Sequence, residues 1–503
     1  MQAEDVLIQI FSFLDLADLH SMRLVSRRLR SLVNSRIVWL DLLRRLELPL
    51  PPLSCPTTQL PQHDLERLAV RAVRLETNWR SLQPKPYSAR TVPVDSVIVA
   101  MSMCRGTLFT AHKDGMLRCW HDLDSPLSPN ESRPGGGRED SRRFTVLAPD
   151  SRIVKFTQMQ VSADMTRRRF VVMYVGDGVD RSTWSGVFTV AMDPRPDGTF
   201  AAEADHFDQS KGIVTVAVSA SSMIVARSVG SLSVIDLKTG NPYNIDAEAA
   251  RGASGNGKIL RLCPLEDDKL LLLTTDAVAV YRMPTAQEPL VDIPEFIRPL
   301  PRCVAGWFHH GPDTASPSTS TLPTMLTVLT EESQTLRYSI LVTDQGTDDG
   351  AMWDLVEVGR EAFPYPVERL SMTEMYGGRR RSIWVHWRRG FEDWPLHVLG
   401  THYEPTGVNQ EPMLSKETGV GSIPDRCCLG TSNDGSAVGF GFTPLAAVGS
   451  TSAPSSNSQA SLSQVLWNCT RAVAMPRVTF DEATGRMCVA GLNSQAITIC
   501  EYA

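Results

Sequence analysis

Nowhere in the 503 residues is there a run of 18 apolar side chains, so no membrane-crossing helix is expected. The first residues are acidic at Glu4 and Asp5, with no basic stretch ahead of an apolar one, so no secretory signal is expected either. Ten cysteines are scattered at positions 55, 104, 119, 263, 303, 427, 428, 469, 488 and 500, and none forms a Cys-x-x-Cys pair. That spacing argues against a zinc site. With no signal, it points to reduced thiols in the cytoplasm or the nucleus. The sequons at Asn130 and Asn468 then carry no meaning.

Catalytic signatures are scarce as well. There is no His-Glu-x-x-His and no Gly-x-Ser-x-Gly. Gly252 to Lys258 matches the Gly-x4-Gly-Lys core of a phosphate loop, but Ile259 stands where a Ser or Thr would hold magnesium. The run after it, Ile259-Leu260-Arg261-Leu262, reads as a strand rather than a helix start, so a flexible loop is the reading. His309-His310 and His386 lack ligands at metal spacing. Asp267-Asp268 and Asp348-Asp349 sit in polar turns. No enzyme activity, cofactor or metal is expected. Residues 1–92 hold 13 Lys+Arg against 9 Asp+Glu, a net +4, and the remainder holds 37 against 47, a net −10. An acidic large region does not suit general nucleic-acid binding.

What the chain does have begins at Asp5 and runs to Arg45. Leu7, Ile10, Phe11 and Leu14 recur at i, i+3, i+4, i+7, one face of a helix. Asp15 can cap a second helix that starts at Leu16 and buries Leu19 and Met22. Ser26 can cap a third, with Leu29, Leu32 and Val33 on its apolar face. Ile37-Val38-Trp39-Leu40 comes next, apolar at four successive positions. Three helices of this size build little core on their own. Ile8, Phe13, Leu16, Val25 and Trp39 still exceed what one face of each helix needs, which suggests a helical module completed by a partner.

This stretch resembles an F-box. The resemblance rests on the aliphatic helix Asp5–Leu14, the turn Asp15-Leu16-Ala17-Asp18-Leu19, the run Arg23-Leu24-Val25-Ser26-Arg27-Arg28-Leu29-Arg30, and Trp39-Leu40. It covers about 45 residues. Gln2 and Ala3 stand where the family carries a Leu-Pro pair, so either the N-terminal part of the adaptor contact is altered or the start lies upstream. The resemblance implies docking on a Skp-type linker through Val6, Leu7, Ile10, Phe11, Leu14, Leu16, Leu19, Val25, Leu29, Leu32 and Trp39. It implies further a substrate-recognition adaptor of a cullin-based (SCF-type) ubiquitin ligase, with an unidentified protein as target. The alternative is a protein-interaction scaffold that sends nothing to degradation.

Leu48 to Pro61 carries five prolines and reads as a linker. Leu65, Leu68, Ala69, Ala72, Leu75 and Trp79 restore helical periodicity over 63–82, and this helix is expected to pack between the F-box and the large C-terminal region. After Pro93, short β-rich runs alternate with Gly, Asp, Asn and Pro clusters. Val97 to Asp122 reads as strand, turn at Arg105-Gly106, strand, an Asp114-Gly115 hairpin, and a strand ending at Trp120. It resembles a WD repeat. Fainter echoes lie at 224–240, 270–281 and 486–500. The last has three strands where a propeller blade has four, and Ser88–Val94 can supply the fourth. The expected architecture is an F-box over 1–48, a linker and connecting helix over 49–92, and an all-β propeller over 93–503, with seven blades favoured and eight possible. Fungal F-box proteins often join such a box, with an Arg-Leu-x-x-Asn-Trp helix end (here Arg74 to Trp79), to a divergent propeller. Ser125–Arg143, Gly311–Pro323 and Gly449–Ser463 read as solvent loops. Their Ser-Pro pairs at 125, 128 and 316 fit proline-directed kinases, but flexible insertions explain them more simply. The basic triplets Arg167–Arg169 and Arg379–Arg381 read as strand-edge solubility devices, and the aromatic run Ser382–Trp387 as packing between blades.

Overall fold

The computed structural model describes residues 3–11, 13–46, 50–51, 57–79, 87–120, 123, 144–147, 153–178, 182–195, 199–210, 213–227, 231–251, 257–265, 269–309, 324–344, 351–363, 367, 370–377, 381–388, 397–402, 438–441, 477–490 and 495–502. The three solvent loops expected from the sequence, Gln2, Arg379, Arg380 and the core of the phosphate-loop match lie outside them.

Four short helices open the chain: α1 (Ala3–Phe11), α2 (Leu16–Val25), α3 (Arg27–Val33) and α4 (Arg36–Leu46). The Asp15 carboxylate accepts the Asp18 amide at 2.7 Å and Ser26 Oγ accepts that of Leu29 at 3.1 Å. Both caps therefore start helices where the sequence places them. The expectation of three helices falls short by one. Four successive apolar residues at 37–40 hide the period, yet α4 buries Val38, Trp39, Leu42 and Leu43, at i, i+1, i+4 and i+5 of one helical face. These four join Phe11, Leu19 and Val33 in one core, which Leu60, Leu65 and Ala69 complete. The last two belong to α5 (Gln62–Trp79), so the connecting helix is part of the helical module.

Beyond α5 the structure is all β. Blade 1 is β2–β5 (Ile98–Cys104, Thr107–His112, Leu117–Trp120, Phe144–Leu147) and blade 2 is β6–β9 (Ile153–Asp164, Arg169–Gly178, Thr183–Pro194, Phe200–Ser210). Blade 3 is β10–β13 (Ile213–Val218, Ser222–Arg227, Ser231–Asp236, Pro242–Asp246). Blade 4 takes β14–β16 (Ile259–Leu265, Lys269–Thr274, Ala277–Arg282) and β18 (Phe296–Pro299), while β17 (Leu290–Val291) crosses over to pair in parallel with β13. Blade 5 is β19–β22 (Cys303–His309, Thr324–Thr330, Gln334–Asp344, Ala351–Ala362) and blade 6 is β23–β26 (Leu370–Gly377, Arg381–Arg388, His397–His402, Val438–Gly441).

Blade 7 draws on both ends of the chain. β27 (Arg477–Asp481), β28 (Arg486–Ala490) and β29 (Ala496–Glu501) pair in turn, and β1 (Ser88–Pro93) adds on antiparallel to β29, with Ser88 opposite Glu501 and Pro93 opposite Ala496. Seven sheets thus stand among the described residues. Their inner strands β27, β2, β6, β10, β14, β19 and β23 touch in that order and return to β27. This is a closed seven-bladed propeller. Apolar clusters fill the seams between neighbouring blades: Phe109 and Cys119 meet Phe170 and Val172, Tyr243 and Ile245 meet Leu270 and Tyr281, and Cys488 and Ile499 meet Leu108 and Trp120. Burial of both sheet faces explains why Leu270–Leu273 of β15, Ala277–Tyr281 of β16 and Met487–Ala490 of β28 read as continuous apolar runs rather than alternating ones.

Candidate protein-interaction surfaces

The surface of the helical module is unusually apolar. Phe13 and Leu24 are each 81% exposed, Val25 68%, Ile37 55%, Ile10 49% and Val6 37%. Val6 and Ile10 sit one turn apart on α1, Phe13 in the turn after it, Leu24 and Val25 at the end of α2, and Ile37 in the first turn of α4. Among the residues the sequence singled out, Val6, Ile10 and Val25 lie on this surface, and Leu7, Leu14, Leu16, Leu29 and Leu32 are half-buried beside the core. Phe11, Leu19 and Trp39 are buried within the core and shape the surface from beneath. Phe13 was counted among the surplus apolar residues, but neither it nor Leu24 nor Ile37 was placed in the expected contact with the linker. For Leu24 and Ile37 the signal is their place on the outer faces of α2 and α4, away from buried Leu19 and Trp39.

The surface is braced from behind. Arg23 meets the Glu66 carboxylate with both guanidinium nitrogens, at 2.5 and 2.8 Å, and lies 5.1 Å over the Trp39 ring. This fork of charge-assisted bonds ties α2 to α5. The Arg23 hydrogen bond holds the Glu66 carboxyl below its usual range, against a smaller opposing effect of burial. Arg36 donates to the carbonyl of Leu60 at 3.0 Å and to that of Thr58, and Arg45 to that of Leu14. The proline-rich stretch is thereby held to α4 where it is described.

The far half of α5 belongs to the propeller. Trp79 stacks on Phe480 of β27 at 5.0 Å and meets Tyr502 edge-on at 5.1 Å. Asn78 Nδ2 donates to the Tyr502 carbonyl at 3.0 Å and Arg71 to the Thr484 carbonyl at 3.1 Å. Leu75 lies against Gly485, which has φ +65° and leaves no room for a Cβ: one placed there would come within 2.5 Å of Leu75 Cδ1. The β27–β28 turn and the exit of β29 lie at the same end of an antiparallel sheet. α5 therefore docks on the end of the ring that carries the first-to-second and third-to-fourth strand connections.

The opposite end is free of the helical module among the described residues. There, turns after second strands bond to the segments entering first strands. The amide of Lys113 donates to Val97 O at 2.8 Å, Thr275 to Lys258 O at 2.9 Å, Cys303 to Thr275 O at 2.7 Å and Glu331 to Arg302 O at 2.9 Å. In blade 1 buried Arg118 binds Asp95 at 2.9 Å and Asp114 at 2.8 Å. Beneath them Trp120 Nε1 donates to Thr110 Oγ1 at 2.8 Å, that hydroxyl lies 2.7 Å from His112 Nε2, and His112 Nδ1 lies 3.1 Å from Ser96 O. Burial pushes the imidazole of His112 down to about 4, helped by the Arg118 cation and opposed by the Ser96 bond, Asp114 and Asp95. Its neutral ring joins Trp120 to the ring's surface. The result is a polar surface tied together by hydrogen bonds.

Residues 4–41 match the F-box domain. The chain carries an F-box. Its apolar surface, with Val6, Ile10, Leu24 and Val25, lies inside the matched residues. Among solved structures, the ring is similar to the β-propeller domain of Cps50 (Swd1) from Myceliophteria thermophila, at 10% identity and TM-score 0.45, over 82% of this chain and 99% of that one. It is similar also to the WD40 domain of SCAP from fission yeast, at 9% identity and TM-score 0.37, over 82% and 98%. No curated protein matches the sequence. The propeller assignment rests on the strand pairing itself. The chain thus joins an F-box to a seven-bladed propeller. Among the described residues no three His, Cys, Asp or Glu side chains group as a metal site. The Arg167–Arg169 triplet is tied into its blade, Arg168 to Asp193 at 2.7 Å and Arg169 to Asp164 at 3.1 Å.

Proposed function

We propose that this F-box protein is a substrate-recognition adaptor of a cullin-based (SCF-type) ubiquitin ligase. Its F-box docks on a Skp-type linker through Val6, Ile10, Leu24 and Val25, with Leu7, Leu14, Leu16, Leu29 and Leu32 along the margins and Phe11, Leu19 and Trp39 behind. The propeller captures a target protein on the end opposite α5, in the cytoplasm or the nucleus. The protein does no chemistry itself. It raises the effective concentration of the target near a ubiquitin-loaded enzyme.

The observation that carries this reading is the set of large apolar side chains left exposed inside residues 4–41. Burying such a side chain is worth about 1.5–3 kcal/mol, so four or five together supply a stable dock. The test is binding of the purified full chain to a Skp-type linker beside an Ile10→Asp/Leu24→Asp variant. Both positions are exposed, so the variant should keep its fold and lose at least a hundredfold in affinity. A folded wild-type chain that does not bind would sink the proposal.

A further inference from the structure

We infer that α5 is a working part of the propeller's closure, so that ring and F-box open together rather than separately. The ring is sealed by one strand. β1 pairs only with β29, and its outer edge has no strand beside it among the described residues. Sealing it joins residues 88–93 to 496–501, across almost the whole ring sequence, and closing so long a loop costs entropy before any contact rewards it. Beside that ladder, Cys488 and Ile499 pack on Leu108 and Trp120, and the amides of Met103 and Gly106 donate to Thr479 Oγ1 at 3.0 Å and Asp481 Oδ2 at 2.6 Å, so β27 and its turn must be held in place by further support.

α5 supplies it at three points of blade 7. Trp79 covers Phe480 of β27, Leu75 and Arg71 hold the β27–β28 turn at Gly485 and Thr484, and Asn78 with Trp79 caps the chain at Tyr502, directly after β29. Trp79, Leu75 and Tyr502 are all fully buried by this arrangement. Elsewhere among the described residues a single 3-10 turn, Ala249–Arg251, packs on blade 4, where Thr274 donates to the Ala250 carbonyl at 2.8 Å, but it does not link that blade to the helical module. The first half of the same 18-residue helix places Leu65 and Ala69 in the F-box core and Glu66 on Arg23. An unbroken α-helix is stiff along its length, so a blade that opens at Tyr502 must tear α5 away or carry it along. Loosening one side of α5 therefore loosens the other. The F-box is held at a fixed angle to the ring by the same contacts that keep the ring shut.

Amide hydrogen exchange on the full chain tests this. Trp79→Ala should speed exchange in Ser88–Pro93 and Ala496–Glu501 by about tenfold or more, while β15 and β16, in blade 4, keep their wild-type rates. Gly485→Ala, made on the ring side, should speed exchange in α5 and in α4. Should Trp79→Ala fail to fold, Asn78→Ala removes the bond to Tyr502 without opening a large cavity, and should speed seam exchange severalfold. Unchanged seam rates in a folded variant would overturn the inference. So would equal acceleration in all seven blades, which would make α5 a general contributor to stability. Helices indifferent to Gly485→Ala would break the coupling between ring and F-box.

Discussion

At the scale of single residues, several polar side chains act by denying themselves to water. His112 sits in a chain from Trp120 to Ser96 and stays neutral because burial outweighs two nearby carboxylates. Its folded value of about 4 lies below the ordinary 6.5, so between these two pH values the unfolded chain binds more protons than the folded one. Stability therefore falls as pH drops from 6.5 towards 4 and levels off below. The full drop is on the order of 3 kcal/mol. His112→Asn cannot titrate there. Urea midpoints of wild type and variant should converge as pH falls from 7 to 4, and parallel curves would contradict this account. The caps at Asp15 and Ser26 are smaller effects of a known kind. Ser26→Ala should cost about 1 kcal/mol, read as a lowered urea midpoint with the slope unchanged.

Residue-level chemistry was also the part most legible in the sequence. Asp15, Ser26 and the Arg105-Gly106 turn were each placed by local rules, and Arg105 and Gly106 do adopt φ 50° and 77°. The exposed face was less legible. Helical spacing grouped Ile10 with Phe11 and Leu14, but Phe11 is buried and Ile10 is half-exposed. A period of 3.6 marks an apolar face without saying whether another helix or a partner covers it.

At the scale of elements, α5 shows what sequence periodicity can deliver. Leu65, Ala69, Ala72, Leu75 and Trp79 form the buried stripe that the spacing predicts. The same stripe serves two cores, and that division is invisible until both are folded. Trp79→Ala removes a buried ring stacked on Phe480 and edge-on to Tyr502 and should cost about 3–5 kcal/mol, measured as loss of urea stability. The blades were legible only in part, and the reason is specific. In six blades the pairing of the inner strand slips by one residue straight after its first residue, at Ile98, Ile153, Ile213, Ile259, Cys303 and Leu370. Four of these begin Ile-Val or Ile-Leu, at 98, 153, 213 and 259. This is the true internal repeat, a bulge with an apolar anchor. Insertions between blades change its spacing so much that no fixed period appears, and only the units nearest a WD pattern stood out.

At the scale of the whole molecule, topology decides what each end of the ring can do. Antiparallel blades send alternate connections to alternate ends, and α5 takes the end with the β27–β28 turn. The F-box stands on that side. The other end, braced by Lys113, Thr275 and Glu331 bonding to the segments beside them, carries none of the helical module among the described residues, which is why the proposed target is assigned to it. Closure by β1 came from counting strands at the two ends of the chain, and seven blades from the length of chain between Trp120 and Cys500. The side on which the helical module sits did not, because it depends on contacts between residues about 400 apart, such as Arg71 with Thr484.

The central claim is that the F-box takes the linker while the far end of the ring stays open. Hydrogen exchange on the complex of the full chain with a Skp-type linker tests it most directly. The expected footprint is slowed exchange across α1 and α2, within residues 3–25, with no change at Val94–Val97, Lys113–Met116 or Thr275–Ala277. Protection spread over those ring segments, or no complex at all with a folded chain, would contradict it.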